Sequence, residues 1–227
     1  MKTKIITTIG PASDDEKTMR KLAEAGASIF RLNTKYGSKE QYEKVMAYAK
    51  EAGIKVLFDV KFMEILSWLQ DKKFDYFALS FAESAEAIQK IRQNFDHPIK
   101  LIAKIENETG FQNIDELIEA SDGIMVARGD LGKNISFERV PIVQKIIIKK
   151  CNEAGKMVIT ATEMLLSMTE SKVPERAEAS DIANAILDGS NCLMLSEETA
   201  IGQHPVLAVQ TMRRVIEETE KDRKLLV

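Results

Sequence analysis

A lysine and a glutamate, Lys104 and Glu106, stand two positions apart in the stretch IAKIENETG, inside a run that otherwise reads as a buried strand. Side chains two apart on a strand share a face, so these opposite charges point the same way, as do Arg31 and Asn33 in RLN. A lone pair of this kind is ordinarily a satisfied ionic network, since such networks also perturb titration. This pair has company. Other strand-like runs end in Asp59 and Lys61 (DVK), Ser80, Arg128 and Asp130 (ARGD), Thr160 and Thr162 (TAT), and Ser196, Glu197, Glu198 and Thr199 (SEET). Two hard carboxylates from neighbouring strands, Glu106 and Asp130, suit Mg2+ or Mn2+, which keeps several waters and takes substrate oxygens as further ligands. With Lys104 beside them, the set could hold a substrate anionic at two ends, or one whose reaction develops negative charge. The Gly-flanked RGDLG adds a turn that could open a short helix, with N–H groups for a carboxylate or phosphate.

Eight β-rich runs must position these residues: KIITTIG, SIFRLN, KVLFDV, DYFALSF, IKLIAKIE, DGIMVAR, KMVITAT and SNCLMLS. Amphipathic stretches such as DDEKTMRKLAEAG, SKEQYEKVMAYAKEAG, SAEAIQKIRQNF and VPIVQKIIIKKCNEAG lie between them, several ending in the Gly expected at a helix C-terminus. Repeated strand–helix alternation predicts parallel pairing by right-handed crossovers. A doubly wound sheet uses the same alternation, but eight repeats in 227 residues match a minimal (β/α)8 TIM barrel, with chemistry at the C-terminal strand ends. No linker-like segment divides the chain, so residues 1–227 are expected to form one domain.

Composition excludes several classes. With 32 Lys and Arg against 35 Asp and Glu and no long single-sign run, neither nucleic acid nor an anionic membrane is expected as partner. Apolar runs meet a charge well before the roughly 18 residues of a membrane span. Cys151 and Cys192 are far apart and no leader-like segment precedes the first strand run, which predicts free thiols in a cytoplasmic protein. His97 and His204 each precede a proline without a metal-spaced partner. Trp68 and Phe62 are expected to cover the barrel side rather than stack on a base.

The segments TKIITTIGPAS, KLIAKIENETGFQNIDELIEASDGIMVARGDLG, VPIVQKIIIKKCNEAGKMVITATEML, RAEASDIANAILDGSNCLML and ETAIGQHPVLAVQTM together resemble the catalytic barrel domain of pyruvate kinase. The resemblance implies that Glu106 and Asp130 hold Mg2+ together with pyruvate or phosphoenolpyruvate. It implies that Lys104 neutralises the phosphoryl group in flight and the enolate oxygen left behind, and that Arg31 contacts the phosphoryl group. Thr162 would lie beside the substrate methyl carbon, and the backbone at Gly129 and Asp130 would seat the carboxylate. Asn33 and Asp59 complete the implied substrate-binding set.

Departures from the family pattern cluster at the mouth. RLNTKYG stands where the family has an RLNFSHG-like motif, and DVKFMEIL where it has a DTKGPEIR-like one, so Lys35, Tyr36, Val60 and Leu66 replace residues of the K+ and phosphate sites. The Lys35 ammonium is expected to stand in for K+, making any activity K+-independent. Glu163 and Glu197 add acid where the family has Gln and Gly. The lid domain inserted after the third strand and the carboxy-terminal domain are both expected to be absent. Assembly as a homodimer through barrel faces is compatible with the resemblance.

Three readings follow. One is a phosphotransferase acting on phosphoenolpyruvate and ADP to give pyruvate and ATP. A second is a lidless Mg2+-dependent enzyme that enolises pyruvate or another 2-oxo acid, as lyase, decarboxylase or aldolase. A third is a binding or scaffold barrel, against which the joint retention of Lys104, Glu106, Asp130 and Thr162 argues.

Overall fold

The computed structural model describes residues 2–226, with side chains through residue 222. Its strands are β1 (Lys4–Thr8), β2 (Ala27–Asn33), β3 (Lys55–Val60), β4 (Tyr76–Leu79), β5 (Lys100–Ile105), β6 (Gly123–Ala127), β7 (Met157–Ala161) and β8 (Cys192–Leu195). Each lies within one of the eight β-rich runs except β2, which begins one residue before its run, at Ala27. Neighbours pair in parallel in chain order, and β1 pairs with β8 to close the ring. The chain is a (β/α)8 barrel.

Helices follow the strands: α1 (Glu16–Ala25), α2 (Lys39–Ala52), α3 (Leu66–Leu69), α4 (Ala85–Arg92), α5 (Glu108–Gln112) and α6 (Ile114–Ala120). The second half carries α7 (Arg128–Asn134), α8 (Val140–Glu153), α9 (Arg176–Asp188), α10 (Glu197–Ala200) and α11 (Pro205–Leu226). Side-chain caps start several of them: Asp15, Ser38 and Ser84 accept from the backbone N–H of Thr18, Gln41 and Ala87. Gly53 ends α2 in the left-handed region, at φ 68°, where a side chain would strain the turn.

The period-2 alternation sorts each strand into two cores. Outward residues such as Ile5, Phe30, Phe58, Phe77 and Val126 pack under the helices. Inward residues Ile6, Ile29, Leu57, Tyr76, Ile102, Met125, Ile159 and Cys192 fill the barrel. Continuing by twos toward the C-terminal ends, the inward positions turn polar: Ile29 leads to Arg31 and Asn33, Leu57 to Asp59, Ile102 to Lys104 and Glu106, Met194 to Ser196. Thr160 has the opposite parity and lies outside, its hydroxyl 2.7 Å from that of Ser190.

Between Val60 and Tyr76 the chain contains only residues 61–75, which form a one-turn 3-10 segment followed by α3. Trp68 there packs 5.9 Å from the Tyr42 ring and 6.2 Å from the Phe58 ring, covering the barrel side. Phe62 does not share that role; it is half exposed. Among the described residues, no helix is long and apolar enough to cross a membrane.

Candidate active site

Asp59 is the hub of the polar layer. Its Oδ1 accepts from Lys104 Nζ at 2.8 Å and its Oδ2 from Arg31 Nε at 2.9 Å, all three side chains being buried. Arg31 also donates to the Thr8 hydroxyl at 2.8 Å. Lys104 completes its three donors with Ser80 Oγ at 2.9 Å and Glu106 Oε1 at 2.9 Å. Burial pushes the Asp59 carboxyl up, but Lys104 and Arg31 outweigh it and hold it below the ordinary value. Burial likewise pulls Lys104 down, and Asp59 with Glu106 more than restores it. The lysine is therefore a fixed cation at the barrel mouth.

Glu106 Oε2 accepts the Phe81 amide at 2.6 Å, with Phe81 in the left-handed region at φ 49°. Asp130 sits in the first turn of α7, with Lys133 3.2 Å from its Oδ1. Its carboxyl is pushed up by burial but ends below its ordinary value through the Lys133 hydrogen bond and charge, then through Lys104 and Lys61. The Thr162 hydroxyl accepts from the Gly129 amide at 2.8 Å and donates to the Ala161 carbonyl at 2.6 Å. Thr162 and Glu163 are both left-handed, at φ 72° and 52°. Non-glycine residues held there cost on the order of 1–3 kcal/mol each and persist only when their surroundings over-determine them.

These groups face one cavity of about 350 Å³. Arg31, Asn33, Asp59, Lys104, Glu106, Gly129, Asp130 and Thr162 all line it, so the residues of the implied site come to one place, whereas Arg128, Thr160, Glu198 and Thr199, also named at strand ends, do not line it. Asn33 Oδ1 is turned to the Lys35 amide at 3.1 Å. A second, more apolar cleft of about 440 Å³ lies alongside, walled by Ile9, Pro11, Tyr36 and Ile201, and shares Arg31, Asn33, Ser196 and Glu197 with the first.

Two contributors escape sequence reasoning, the Thr8 hydroxyl and the Phe81 amide. Of the SEET residues already named after the eighth run, Ser196 has a buried hydroxyl without a hydrogen-bond partner at the junction of the cavities, and Glu198 is buried. Glu198 accepts the Leu165 amide at 3.0 Å and the Ser196 amide at 2.7 Å, tying the β7 turn to the end of β8. Neither Thr8 nor Phe81 carries a sequence signal for its part.

A family model described as pyruvate kinase, barrel domain, matches residues 1–65 and 57–209 of the chain. The chain belongs to the pyruvate kinase family. A pyruvate kinase from Geobacillus stearothermophilus is 56% identical over 151 residues, covering 65% of this chain and 26% of that protein. One from Clostridium acetobutylicum is 51% identical over 155 residues (66% and 33%), and one from Thermococcus litoralis 46% over 166 residues (72% and 35%). The matched region spans about a quarter to a third of the length of these pyruvate kinases.

On this pyruvate kinase barrel the departures Lys35 and Tyr36 are exposed, whereas Val60 is fully buried in the outer core and Leu66 packs half-buried against it. The Lys35 ammonium lies 4.7 Å from the centre of the Tyr36 ring, and that of Lys61 5.5 Å from the Phe81 ring. Lys35, Lys61, Lys133, Glu163 and Glu197 share the rim of the cavity.

Proposed function

We propose that this barrel transfers the phosphoryl group of phosphoenolpyruvate to ADP, giving pyruvate and ATP, as a single cytoplasmic domain without an inserted lid. The observation that carries the reading is the fixed Lys104 ammonium between Asp59 and Glu106, opening on a cavity that also presents Arg31, Asp130 and Thr162. Phosphoryl transfer needs positioning and positive charge more than covalent catalysis, and this is what the set offers.

The donor set fits a divalent ion that takes most of its ligands from outside the protein. Among the described residues no group of three His, Cys, Asp or Glu side chains converges, while Glu106 and Asp130 share the cavity as a pair. Glu106 and Asp130 would hold Mg2+ or Mn2+ in the manner of such ions in phosphate sites. When bound, the ion supplies positive charge to the phosphoryl and enolate oxygens. Lys104 and Arg31 bind and orient the phosphoryl group and balance the charge left on the enolate. The backbone at Gly129 and Asp130 seats the carboxylate. The Thr162 hydroxyl stands on the side from which a proton reaches the methyl carbon. The apolar cleft beside Tyr36 and Pro11 supports a nucleotide base next to the phosphoryl site. K+ is not required in this reading, because protein donors already serve Asp59 and Asn33.

A second reading draws on the short β3–β4 connection, residues 61–75. An open mouth admits water in competition with ADP. Enolisation of pyruvate, or lyase chemistry on another 2-oxo acid, needs only the ion, Lys104 and a proton donor. Pyruvate formation from phosphoenolpyruvate, followed with and without ADP in the parent and Lys104→Met, separates the two. ADP-dependent ATP that vanishes in the variant supports the kinase; no ATP, with Mg2+-oxalate still bound, moves the enolising reading forward.

A further inference from the structure

Arg128 precedes the Gly129–Asp130 turn yet does not line the cavity. Its guanidinium reaches under the β7 turn. Nε and Nη2 donate to the Thr162 carbonyl at 3.2 and 2.6 Å, and Nη2 also to the Glu163 carbonyl at 3.1 Å. Nη1 donates to Asp181 of α9 at 2.6 Å and to Gln144 of α8 at 3.4 Å. The side chain is 11% exposed. The next residue, Gly129, gives its amide to the Thr162 hydroxyl. Residues 128 and 129 therefore grip Thr162 at both ends, carbonyl and hydroxyl.

That grip falls on two successive left-handed residues that no glycine accommodates. Left-handed backbone turns their carbonyls to one side, and a planar fork with five donors can meet both carbonyls and Asp181 at once. A lysine has one charged point and cannot. We propose that Arg128, aimed by Asp181, is a positioning residue that sets the Thr162 hydroxyl at the cavity wall. The proposal rests on the proposed reading only in giving that hydroxyl a role beside the substrate methyl carbon.

Four proteins test it: the parent, Arg128→Lys, Thr162→Ala and the double variant, each supplied with Mg2+ and pyruvate in deuterated solvent. The measured quantity is deuterium uptake at the methyl carbon, resolved into kcat and KM. Because a small misplacement of a reacting group carries a large kinetic cost, Arg128→Lys should lower kcat by about 10-fold to 100-fold with little change in KM. The double variant should be no slower than Thr162→Ala, since the arginine acts through the threonine. Losses that multiply in the double variant overturn the proposal. Asp181→Asn, which leaves the guanidinium in place but unaimed, should give a smaller loss that is likewise absent in a Thr162→Ala background.

A second readout needs no turnover. Hydrogen exchange at the Gly129 amide reports its contact with Thr162 directly, and Arg128→Lys should accelerate it while leaving the Ile124 amide of β6 unchanged. Unaltered Gly129 exchange overturns the proposal. A parent that takes up no deuterium counts against the enolate chemistry alone, and Gly129 exchange then decides the positioning.

Discussion

The ammonium of Lys104 lies 2.9 Å from the carboxylate of Glu106, two positions on and just past the end of β5. The lysine thus occupies one oxygen of a carboxylate that the proposed reading assigns to a divalent ion. Removing the ammonium should affect charge balance in the reaction far more than ion affinity. Lys104→Met is expected to lower turnover by about 100-fold to 1,000-fold, the range for losing a preorganised electrostatic group. Mn2+ affinity, followed by electron paramagnetic resonance, should hold or rise. Weakened Mn2+ binding with turnover intact would reverse the assignment.

Asp59 carries the second prediction, through stability. Removing its charge leaves Arg31 and Lys104 buried with one fewer partner each, so Asp59→Asn should destabilise by about 3–5 kcal/mol near neutral pH. Its folded-state carboxyl titrates below the ordinary value of 3.8. Its contribution is therefore present above 3.8 and is lost as pH falls through the folded value. Denaturant midpoints of parent and variant should differ by a constant amount above pH 5 or so and converge in stronger acid. A gap that widens in acid would contradict the pairing.

Glu198 offers a third test, independent of any reaction. Both its oxygens accept backbone amides, Leu165 on one and Ser196 on the other. Glutamine keeps one acceptor and turns an NH2 toward an amide donor. Glu198→Gln should cost about 1–3 kcal/mol, the penalty of a buried donor left unmatched. Equilibrium unfolding in urea measures it, and an unchanged midpoint would mean that the two bonds hold nothing.

The monovalent-ion prediction concerns Lys35 and its neighbours. The Lys35 amide already holds Asn33 Oδ1, and Asp59 is served by two cations. Turnover should be unchanged when K+ is replaced by tetramethylammonium at equal ionic strength. A K+-stimulated parent would end the expectation of independence. Lys35→Ser keeps that backbone amide, so a variant that stays fully active and K+-indifferent would remove the Lys35 ammonium from the explanation, leaving the amide, Arg31 and Lys104.

The barrel was legible because its strands are short, β-rich and separated by capped amphipathic stretches. The convergence of Arg31, Asp59, Lys104 and Glu106 was legible for the same reason, since counting by twos from Ile29, Leu57 and Ile102 reaches them on the inward face. Phe81, Thr162 and Glu163 were not legible as left-handed residues. Positive φ is ordinarily signalled by glycine, and here contacts distant in sequence impose it, among them Arg128 and Glu106. The Thr8 hydroxyl against Arg31 was hidden likewise, because a threonine at a strand end carries no mark of a partner 23 positions away.

Trp68 is the only tryptophan in the sequence, and it lies in the short β3–β4 connection with the Lys72 ammonium 4.8 Å from its ring. Its nearest rings are those of Tyr42, from α2, and Phe58, from β3. Indole emission from the whole protein therefore comes from this one segment, and light absorbed by Tyr42 is well placed to reach it. Shifts in colour or intensity on adding ligands would report the side of the barrel beside β3 and no other region, giving the molecule an intrinsic optical gauge without any label.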